Sequence, residues 1–242
     1  TLCKIKKSSY ETLIITIFAK TFKMAKLFLV PNLLSEGDWQ NVLPAKIHPI
    51  LTGTKYFIVE NIRTARRFMK YVNKDIDINI LTFFELNKYT QISDIPQFLK
   101  PLEEGFDVAV ISEAGCPGVA DPGADVVKIA HQKGFQVVPI VGPSSILLAL
   151  MASGLNGQNF TFNGYLPIKQ PQRTKAITSL EKKAKNDQQT QIFIETPYRN
   201  NQLVNDLLKT CSPSTLLCIA ANLTGENEFI ATKTIQEWKN KI

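Results

Sequence analysis

The chain has 242 residues, of which 44% are hydrophobic and 20% are charged. This composition is typical of a folded globular protein and excludes disordered, collagen-like and coiled-coil chains. No apolar stretch approaches the roughly 18–20 residues that a membrane span needs, so we expect no membrane segment. The net charge of +7 does not by itself indicate nucleic-acid binding, because residues 1–26 hold six lysines against one glutamate.

The four cysteines and two histidines do not form a recognisable metal or disulfide pattern. No C-x-x-C pair occurs, and His48 and His131 are distant in sequence from the cysteines. We therefore predict no metal site and reduced thiols, which favours the cytoplasm.

Residues 1–25 form an N-terminal arm that imitates a signal peptide. Three early lysines precede a seven-residue apolar run at 13–19, but further lysines follow where small residues should mark a cleavage site. We predict that the arm is an extension outside the fold and that the natural start lies near Met24.

Short apolar segments rich in Val, Ile and Phe alternate with segments of helical spacing in the first part of the chain. The predicted strands are 26–31, 56–60, 79–86, 107–112 and 136–140, and the predicted helices are 61–72, 93–103 and 121–132. This alternation predicts βαβ units and a mainly parallel sheet.

The pattern changes after about residue 155. Strands are predicted at 160–166, 191–195, 216–221 and 228–232, with helices at 172–185, 199–208 and 234–239. We predict an α/β protein with an N-terminal lobe at 26–154 and a C-terminal lobe at 155–242.

The most informative position is the turn that follows the predicted strand 107–112. Gly115, Pro117 and Gly118 impose a compact loop, and Asp121 is expected to cap a helix with Pro122 in its first position. Small residues at the carboxyl end of a parallel strand let a ligand approach the backbone. A ligand-binding loop and a simple tight connection both fit this pattern.

Two further turns share this strand–turn–helix pattern. Ser144 or Ser145 is expected to cap an apolar helix that is buried nearly all round, and Pro197 lies just inside another helix start. No G-x-S-x-G motif occurs, so we interpret the serines as caps and backbone contacts rather than nucleophiles. The P-loop and G-x-G-x-x-G motifs of nucleotide-binding proteins are also absent.

Charged residues cluster near these turns. Glu60, Glu113, Asp121 and Glu195 lie at or after strand ends, where capping and solvation compete with catalysis as explanations. Positive charges share one face of the predicted helix 61–72 at Arg63, Arg66, Arg67 and Lys70, and residues 168–199 carry a net +4. Phosphate contacts and solvated helix faces remain alternative interpretations of both features.

Five segments in this order resemble the tetrapyrrole methylase superfamily, and within it the branch that methylates small-subunit ribosomal RNA. They are SEAGCPGVADPG at 112–123, VGPSS at 141–145, FNGYLP at 162–167, IFIETPYR at 192–199 and AANLT at 220–224. The resemblance implies a methyltransferase that uses S-adenosyl-L-methionine (SAM), with two α/β lobes, the cofactor cleft between them and usually a homodimeric assembly.

By this resemblance, the cofactor contacts are largely backbone groups. They fall on Pro31, Leu34, Glu113, Ala114, Gly115, Cys116, Ser144, Ser145, Leu166, Ala221 and Asn222. The chain departs from the family at its first turn (PNLLSEGD at 31–38), at Asn61 in place of an aspartate and at Gly225 in place of a lysine. The resemblance also leads us to expect that residues 155–242 lack the last apolar strand of the family.

The activity implied by the resemblance is 2′-O-methylation of a ribose in small-subunit ribosomal RNA. Glu60 is our first candidate for the general base, with Arg63 steering phosphate, and Glu195 is the second candidate. The partners would be ribosomal RNA or the small ribosomal subunit and a second copy of the chain. The alternatives are methylation of a tetrapyrrole or another small acceptor by the same fold, and a non-catalytic SAM- or RNA-binding protein.

Overall fold

The computed structural model describes residues 25–241, so most of the predicted N-terminal arm lies outside the described residues. A five-stranded parallel sheet organises the first part, as predicted. Its strands are β1 (Lys26–Val30), β2 (Tyr56–Val59), β3 (Thr82–Glu85), β4 (Val108–Ile111) and β5 (Gln136–Pro139), in the order β3-β2-β4-β1-β5. Ala25, which we placed in the arm, is buried against this sheet, so the packed chain begins before β1.

Helices cover both faces of this sheet. The helices α1 (Ile47–Gly53) and α2 (Ile62–Val72) pack on one face. The opposite face carries α3 (Ile95–Phe98), α4 (Lys100–Glu103) and α5 (Gly123–Gln132). Because both faces are covered, all four residues of the central strand β4 are buried, which explains why VAVI is uniformly apolar.

The second part contains two smaller sheets. The strands β6 (Phe160–Tyr165) and β7 (Thr190–Ile194) pair in parallel, whereas β8 (Leu216–Ala221) and β9 (Phe229–Thr234) pair antiparallel. The helices that follow β5 along the chain are α6 (Ser145–Ser153), α7 (Gln172–Asn186), α8 (Asn200–Thr210) and α9 (Ile235–Lys239). No helix within residues 25–241 is long and apolar enough to cross a membrane.

The proposed lobe boundary at residue 154 separates the five-stranded sheet from the two smaller sheets. The helix α6, however, packs on β9 across that boundary, and the Thr232 hydroxyl donates a hydrogen bond to the Ser153 carbonyl at 2.7 Å. The boundary at residue 154 therefore separates the sheets but not all the packing between the two parts. The division into lobes at 26–154 and 155–242 stays a proposal.

Two predicted elements differ from the structure, and one helix was not predicted. The helix α1 was missed, and the strand predicted at 79–86 begins with a 3₁₀ turn at Ile78–Ile80, because the Asp77 carboxylate accepts a hydrogen bond from the Asn79 amide. The helix predicted at 93–103 is divided into α3 and α4, each with a proline at its start. Pro101 lacks an amide hydrogen and cannot continue the preceding helix.

The prediction that α6 is buried nearly all round is wrong. Leu150 and Ser153 are its buried residues, whereas Leu147 and Met151 are 51% and 78% exposed. Val141, in the segment before the helix, is 82% exposed. An almost uniformly apolar sequence has no polar face to reveal which side meets solvent.

Arg173 is a structural residue and not one of the exposed cations that its charge suggested. Its side chain is fully buried, and its guanidinium pairs with Asp206 at 2.9 Å. It also donates hydrogen bonds to the carbonyls of Pro167 and Ile168, which attaches the segment after β6 to α8.

We expect Arg173→Ala to lower the free energy of unfolding by about 3 kcal/mol, because it leaves Asp206 and two carbonyls without their partner. Urea unfolding followed by circular dichroism measures this loss. Lys175→Ala, two residues along the same helix and exposed, is the control and should change stability by less than about 0.5 kcal/mol. Equal stability of the two variants would contradict the structural role of Arg173.

Candidate functional site

The turn after β1 is tied to the loop after β4. Asn32 and Gly115 exchange two backbone hydrogen bonds, at 2.9 and 3.1 Å. The Asn32 side-chain amide also donates to the carbonyls of Ser112 and Glu113, both at 3.1 Å. Asn32 belongs to the departure from the family's first turn, and here it holds the loop that carries four predicted cofactor contacts.

Gly115 has φ +68°, a conformation that residues with a side chain rarely adopt. A Cβ at this position would lie 3.2 Å from Cδ2 of Leu34 and 3.3 Å from the carbonyl oxygen of Pro143. The loop after β4 therefore touches the turn after β1 on one side and the segment before α6 on the other. The requirement for glycine follows from both the dihedral angle and these neighbours.

The segment before α6 approaches the first turn closely. A Cβ on Gly142 would lie 2.2 Å from Cβ of Pro31, so glycine is needed there for contact between the two segments. The Cys116 thiol donates a hydrogen bond to the Pro143 carbonyl at 3.4 Å, and burial, with a smaller contribution from Asp121, raises the pKa of that thiol. Cys116 therefore packs as a neutral thiol between these two loops.

The turn after β8 completes the cluster. The Ser35 hydroxyl donates to the Leu223 carbonyl at 3.0 Å, and a Cβ on Gly225 would lie 2.8 Å from Cβ of Ser35. Asn222 and Thr224 both have positive φ, at 51° and 68°. Because Ser35 occupies the space beside it, Gly225 suits this turn where relatives carry lysine.

Four of the five segments with predicted cofactor contacts thus meet in the structure. They are the turn after β1, the loop after β4, the segment before α6 and the turn after β8. The fifth segment contributes Leu166, whose side chain packs in a core cluster with Ile177, Leu203 and Leu207. A cofactor contact at Leu166 would therefore use its backbone.

Three hydroxyl groups near this cluster are suited to a polar ligand. Ser144 occupies the N-cap position of α6, as predicted, and Ser145 its first position, but the Ser144 side chain makes no capping hydrogen bond. Within residues 25–241, the Thr224 hydroxyl is a buried side-chain oxygen without a hydrogen-bond partner. A buried hydroxyl of this kind is normally satisfied, and a bound ligand would satisfy it. Nothing in the sequence singled out Thr224.

A second feature of the site is a group of carboxylates at the ends of β2 and β4. Glu60 and Asp121 line one cleft together with Ser112. Burial, then the negative charges of Glu113 and Asp121, raises the pKa of Glu60 above its ordinary value of 4.5. The raised pKa makes Glu60 a better proton acceptor than an ordinary glutamate.

Asp121 closes the loop between β4 and α5. Its carboxylate accepts hydrogen bonds from the amides of Gly118 and Gly123, at 2.6 and 2.8 Å. Burial raises the pKa of Asp121, and these two bonds oppose that rise. The helix begins at Gly123, with Pro122 in the N-cap position, which corrects the predicted placement of Pro122 inside the helix.

Glu195, the second candidate base, is engaged in an ion pair. Its Oε1 lies 2.6 Å from a guanidinium nitrogen of Arg199 and accepts a hydrogen bond from the Thr196 amide at 2.7 Å. Burial alone would raise the pKa of Glu195, but the hydrogen bonds from Arg199 and Thr196 lower it overall. A carboxylate held in this way is a weaker proton acceptor than Glu60.

The basic face of α2 begins directly after Glu60. Asn61 caps the helix by accepting hydrogen bonds from the amides of Arg63 and Thr64, at 2.9 and 3.3 Å. The Thr64 hydroxyl in turn donates to Glu113. The start of α2 is thereby attached to the loop that follows β4.

All four cations of the α2 face are exposed: Arg63, Arg66, Arg67 and Lys70. None of the four pairs with a carboxylate of the described residues. Arg66 lies 5.1 Å from the centre of the Phe83 ring, and Lys70 donates to the Lys74 carbonyl at 2.7 Å. The face therefore offers positive charge to an anion outside the protein. Residues 25–241 contain no group of three or more His, Cys, Asp or Glu side chains that could hold a metal ion.

The fold is shared with a known methyltransferase. The crystal structure of the methyltransferase CobJ superposes with a TM-score of 0.57 at 16% sequence identity and covers 88% of this chain and 86% of that one. The chain therefore shares the α/β fold of that protein, with helices on both faces of a parallel sheet, and the predicted fold class is confirmed.

The family model for tetrapyrrole (corrin/porphyrin) methylases matches residues 58–239, and the chain belongs to this family of methyltransferases. The chain is 28% identical to ribosomal RNA small subunit methyltransferase I of Vibrio cholerae, over 87% of this chain and 69% of that protein. It is 33% identical to the protein of the same name in Halalkalibacterium halodurans, over 74% and 58%. The predicted family and enzyme class are confirmed.

Proposed function

We propose that this chain uses SAM to methylate RNA of the small ribosomal subunit, with a ribose 2′-hydroxyl as the acceptor. The observation that carries the proposal is the row of exposed, unpaired cations on α2, which begins three residues after the cleft carboxylate Glu60. RNA offers a phosphate at every nucleotide to such a row. Two relatives named for methylation of small-subunit ribosomal RNA support this acceptor, and the cytoplasm is the compartment in which it would be met.

In this proposal the cofactor lies against the four loops that meet around residues 31–35. Backbone groups of Pro31, Leu34 and the 113–116 loop would hold it, with Leu166, Ala221 and Asn222 from the C-terminal part. The hydroxyls of Ser144, Ser145 and Thr224 would supply side-chain contacts. When bound, SAM supplies an electrophilic methyl group on a sulfonium.

The residues of the chain have separate tasks in this mechanism. Arg63 holds a phosphate next to the acceptor, which positions the ribose oxygen for in-line attack. Glu60 accepts the proton that the 2′-hydroxyl loses as its oxygen gains the methyl group. Burial and the negative neighbours raise the pKa of Glu60, which makes it a stronger base than an exposed glutamate.

Transfer of labelled methyl groups from SAM to purified small ribosomal subunits tests this proposal. We expect incorporation into the RNA, and nuclease digestion should place the label in a 2′-O-methylated nucleoside. Label on a base would contradict the ribose assignment, and no label on the particles would contradict the RNA assignment.

We expect the triple variant Arg63→Ala, Arg66→Ala, Arg67→Ala to weaken RNA binding and to flatten its salt dependence. Each phosphate contact contributes about 0.7–0.9 log units of affinity per log unit of salt, so three lost contacts reduce the slope by about 2–3. Filter binding across a salt series measures this change, and SAM affinity should stay the same.

The matched control removes three charges from α7 through Lys182→Ala, Lys183→Ala, Lys185→Ala. These lysines lie near the end of α7, which precedes the start of β7 and is therefore remote from the carboxyl edge of the strands. An equal loss in both triple variants would show that only total charge matters and would contradict the role of the α2 face.

A tetrapyrrole or another small acceptor is the second candidate, favoured by the description of the matching family model. Such an acceptor carries few charges, so its methylation would depend little on salt or on the α2 arginines. Methyl transfer to a porphyrin precursor, with none to ribosomal particles, would select this alternative.

We also propose a homodimer in which α6 contributes to the interface. Val141, Leu147 and Met151 expose an apolar surface that a second copy would bury. Analytical ultracentrifugation should give a dimer for the parent chain and more monomer for Met151→Lys.

A further inference from the structure

Two exposed tyrosines lie at the carboxyl end of the β6–β7 pair. Tyr165 is the last residue of β6, pairs in register with Ile194 and is 55% exposed. Tyr198 lies in the 3₁₀ turn Pro197–Arg199 that follows β7, and it is 80% exposed. Both side chains thus lie at the end of the strands where the family's cofactor contact at Leu166 is expected.

The guanidinium of Arg199 lies over the Tyr198 ring, with its carbon 5.1 Å from the ring centre. The ion pair with Glu195 at 2.6 Å fixes that guanidinium, and Pro197 at the first position restricts the backbone of the turn. Tyr165 lies on the neighbouring strand, in register with Ile194, the residue before Glu195. The Tyr198 ring and the Arg199 guanidinium form a preorganised aromatic and cationic surface, with Tyr165 exposed at the same end of the strand pair. We name these three residues the tyrosine platform.

We propose that the tyrosine platform of Tyr165, Tyr198 and Arg199 stacks an unpaired base of the RNA substrate. This inference rests on the proposed RNA acceptor and adds that the RNA is single-stranded next to the methylated nucleotide. Single-stranded RNA is bound by stacking its bases on tyrosine rings and arginine planes, because every base offers a π-face.

Positive charge for the flanking phosphates lies in the adjoining segment. Lys169 follows Tyr165 by four residues, and Lys175 lies in the first turn of α7; both are exposed. The buried Arg173, paired with Asp206, anchors the backbone of Pro167 and Ile168, which lie between Tyr165 and Lys169. A rigid aromatic surface beside exposed lysines matches RNA, with its alternating bases and phosphates, better than an apolar partner.

The test uses the full chain and a short single-stranded RNA that contains one 2-aminopurine, whose fluorescence falls when it stacks. We expect the parent to bind this RNA, to quench the fluorescence and to prefer the single strand over the same sequence in a duplex. Tyr198→Ala should weaken binding about 5- to 150-fold and abolish the quenching, since stacking contributes about 1–3 kcal/mol per base. Tyr198→Phe should behave as the parent, whereas Tyr198→Leu should resemble the alanine variant.

The matched control is Tyr89→Ala. Tyr89 is 76% exposed and has the Lys88 ammonium 4.9 Å from its ring centre, but it follows β3 at the edge of the five-stranded sheet. We expect its removal to leave affinity and quenching within twofold of the parent.

Three results would overturn the platform while the parent still binds RNA and methylates small subunits. They are unchanged binding by Tyr198→Ala, parent-like quenching by Tyr198→Leu, and an equal loss in Tyr89→Ala. Dissociation of a dimer by Tyr198→Ala would instead assign the surface to a protein contact. Failure of the parent itself to bind RNA would overturn the proposed function and the platform together.

Discussion

We expect Gly115→Val to lose SAM binding by at least about 100-fold while the chain still folds. The residue has φ +68°, and its Cβ would lie 3.2 Å from Leu34 and 3.3 Å from the Pro143 carbonyl. A branched side chain must push apart the first turn, the 113–116 loop and the segment before α6. Because the proposed cofactor contacts are backbone groups on these three segments, a shift of a few tenths of an ångström misplaces all of them.

Gly105→Val is the matched control for this variant. Gly105 also has positive φ, at 86°, but nothing lies within 4 Å of its Cβ position, and it follows α4 outside the cleft. Both substitutions carry the strain of a β-branched residue at positive φ, about 1–3 kcal/mol. Thermal melting should therefore fall in both, whereas isothermal titration should show lost SAM binding in Gly115→Val alone. Unchanged titration heats for Gly115→Val would contradict the assignment of this loop.

The second large effect is expected for Glu60→Gln, which should lower kcat for RNA methylation by about 100- to 10,000-fold. Glutamine keeps the size and polarity of the side chain but cannot accept the proton of the 2′-hydroxyl, and general-base contributions have this magnitude. Single-turnover methylation measures the loss, with SAM and RNA affinities determined separately. Glu103→Gln, which removes a surface carboxylate paired with Lys133, should retain parental kcat.

The pH profile distinguishes a base from a merely structural carboxylate. Only ionised Glu60 accepts a proton, so activity should rise as pH passes upward through its pKa, which burial, Glu113 and Asp121 place above 4.5. Glu113→Gln removes one of the charges that raise this pKa, and the acid limb of the profile should move to lower pH. An acid limb that stays in place in Glu113→Gln, or a Glu60→Gln enzyme with parental kcat, would show that another group takes the proton.

The sequence alone predicted the order of most elements and the positions of the Gly/Pro-rich turns. Alternation of apolar strands with helical spacing is a local signal, and it identified β1, β2, β4 and β5 within about one residue. Gly115 and Pro197 mark backbone conformations that few other residues adopt, so they could be located without a structure. The motif resemblance supplied the family, which the comparisons confirmed.

The tertiary structure decided which residues are buried in the core and which are exposed near the candidate site. Arg173 and Arg199 are both cations in a basic segment, yet one is buried against Asp206 and the other lies over an exposed tyrosine ring. The hydrogen bonds from the Asn32 side chain to the loop after β4 join residues about 80 positions apart. The buried Thr224 hydroxyl lacks a partner among the described residues because of the way its turn packs. Local propensity and periodicity act over a few residues, whereas burial, ion pairing and pKa depend on contacts between distant segments. The sequence by itself therefore determined most of the strands and helices and the family. Only the folded chain decided which charged side chains are buried, paired or exposed.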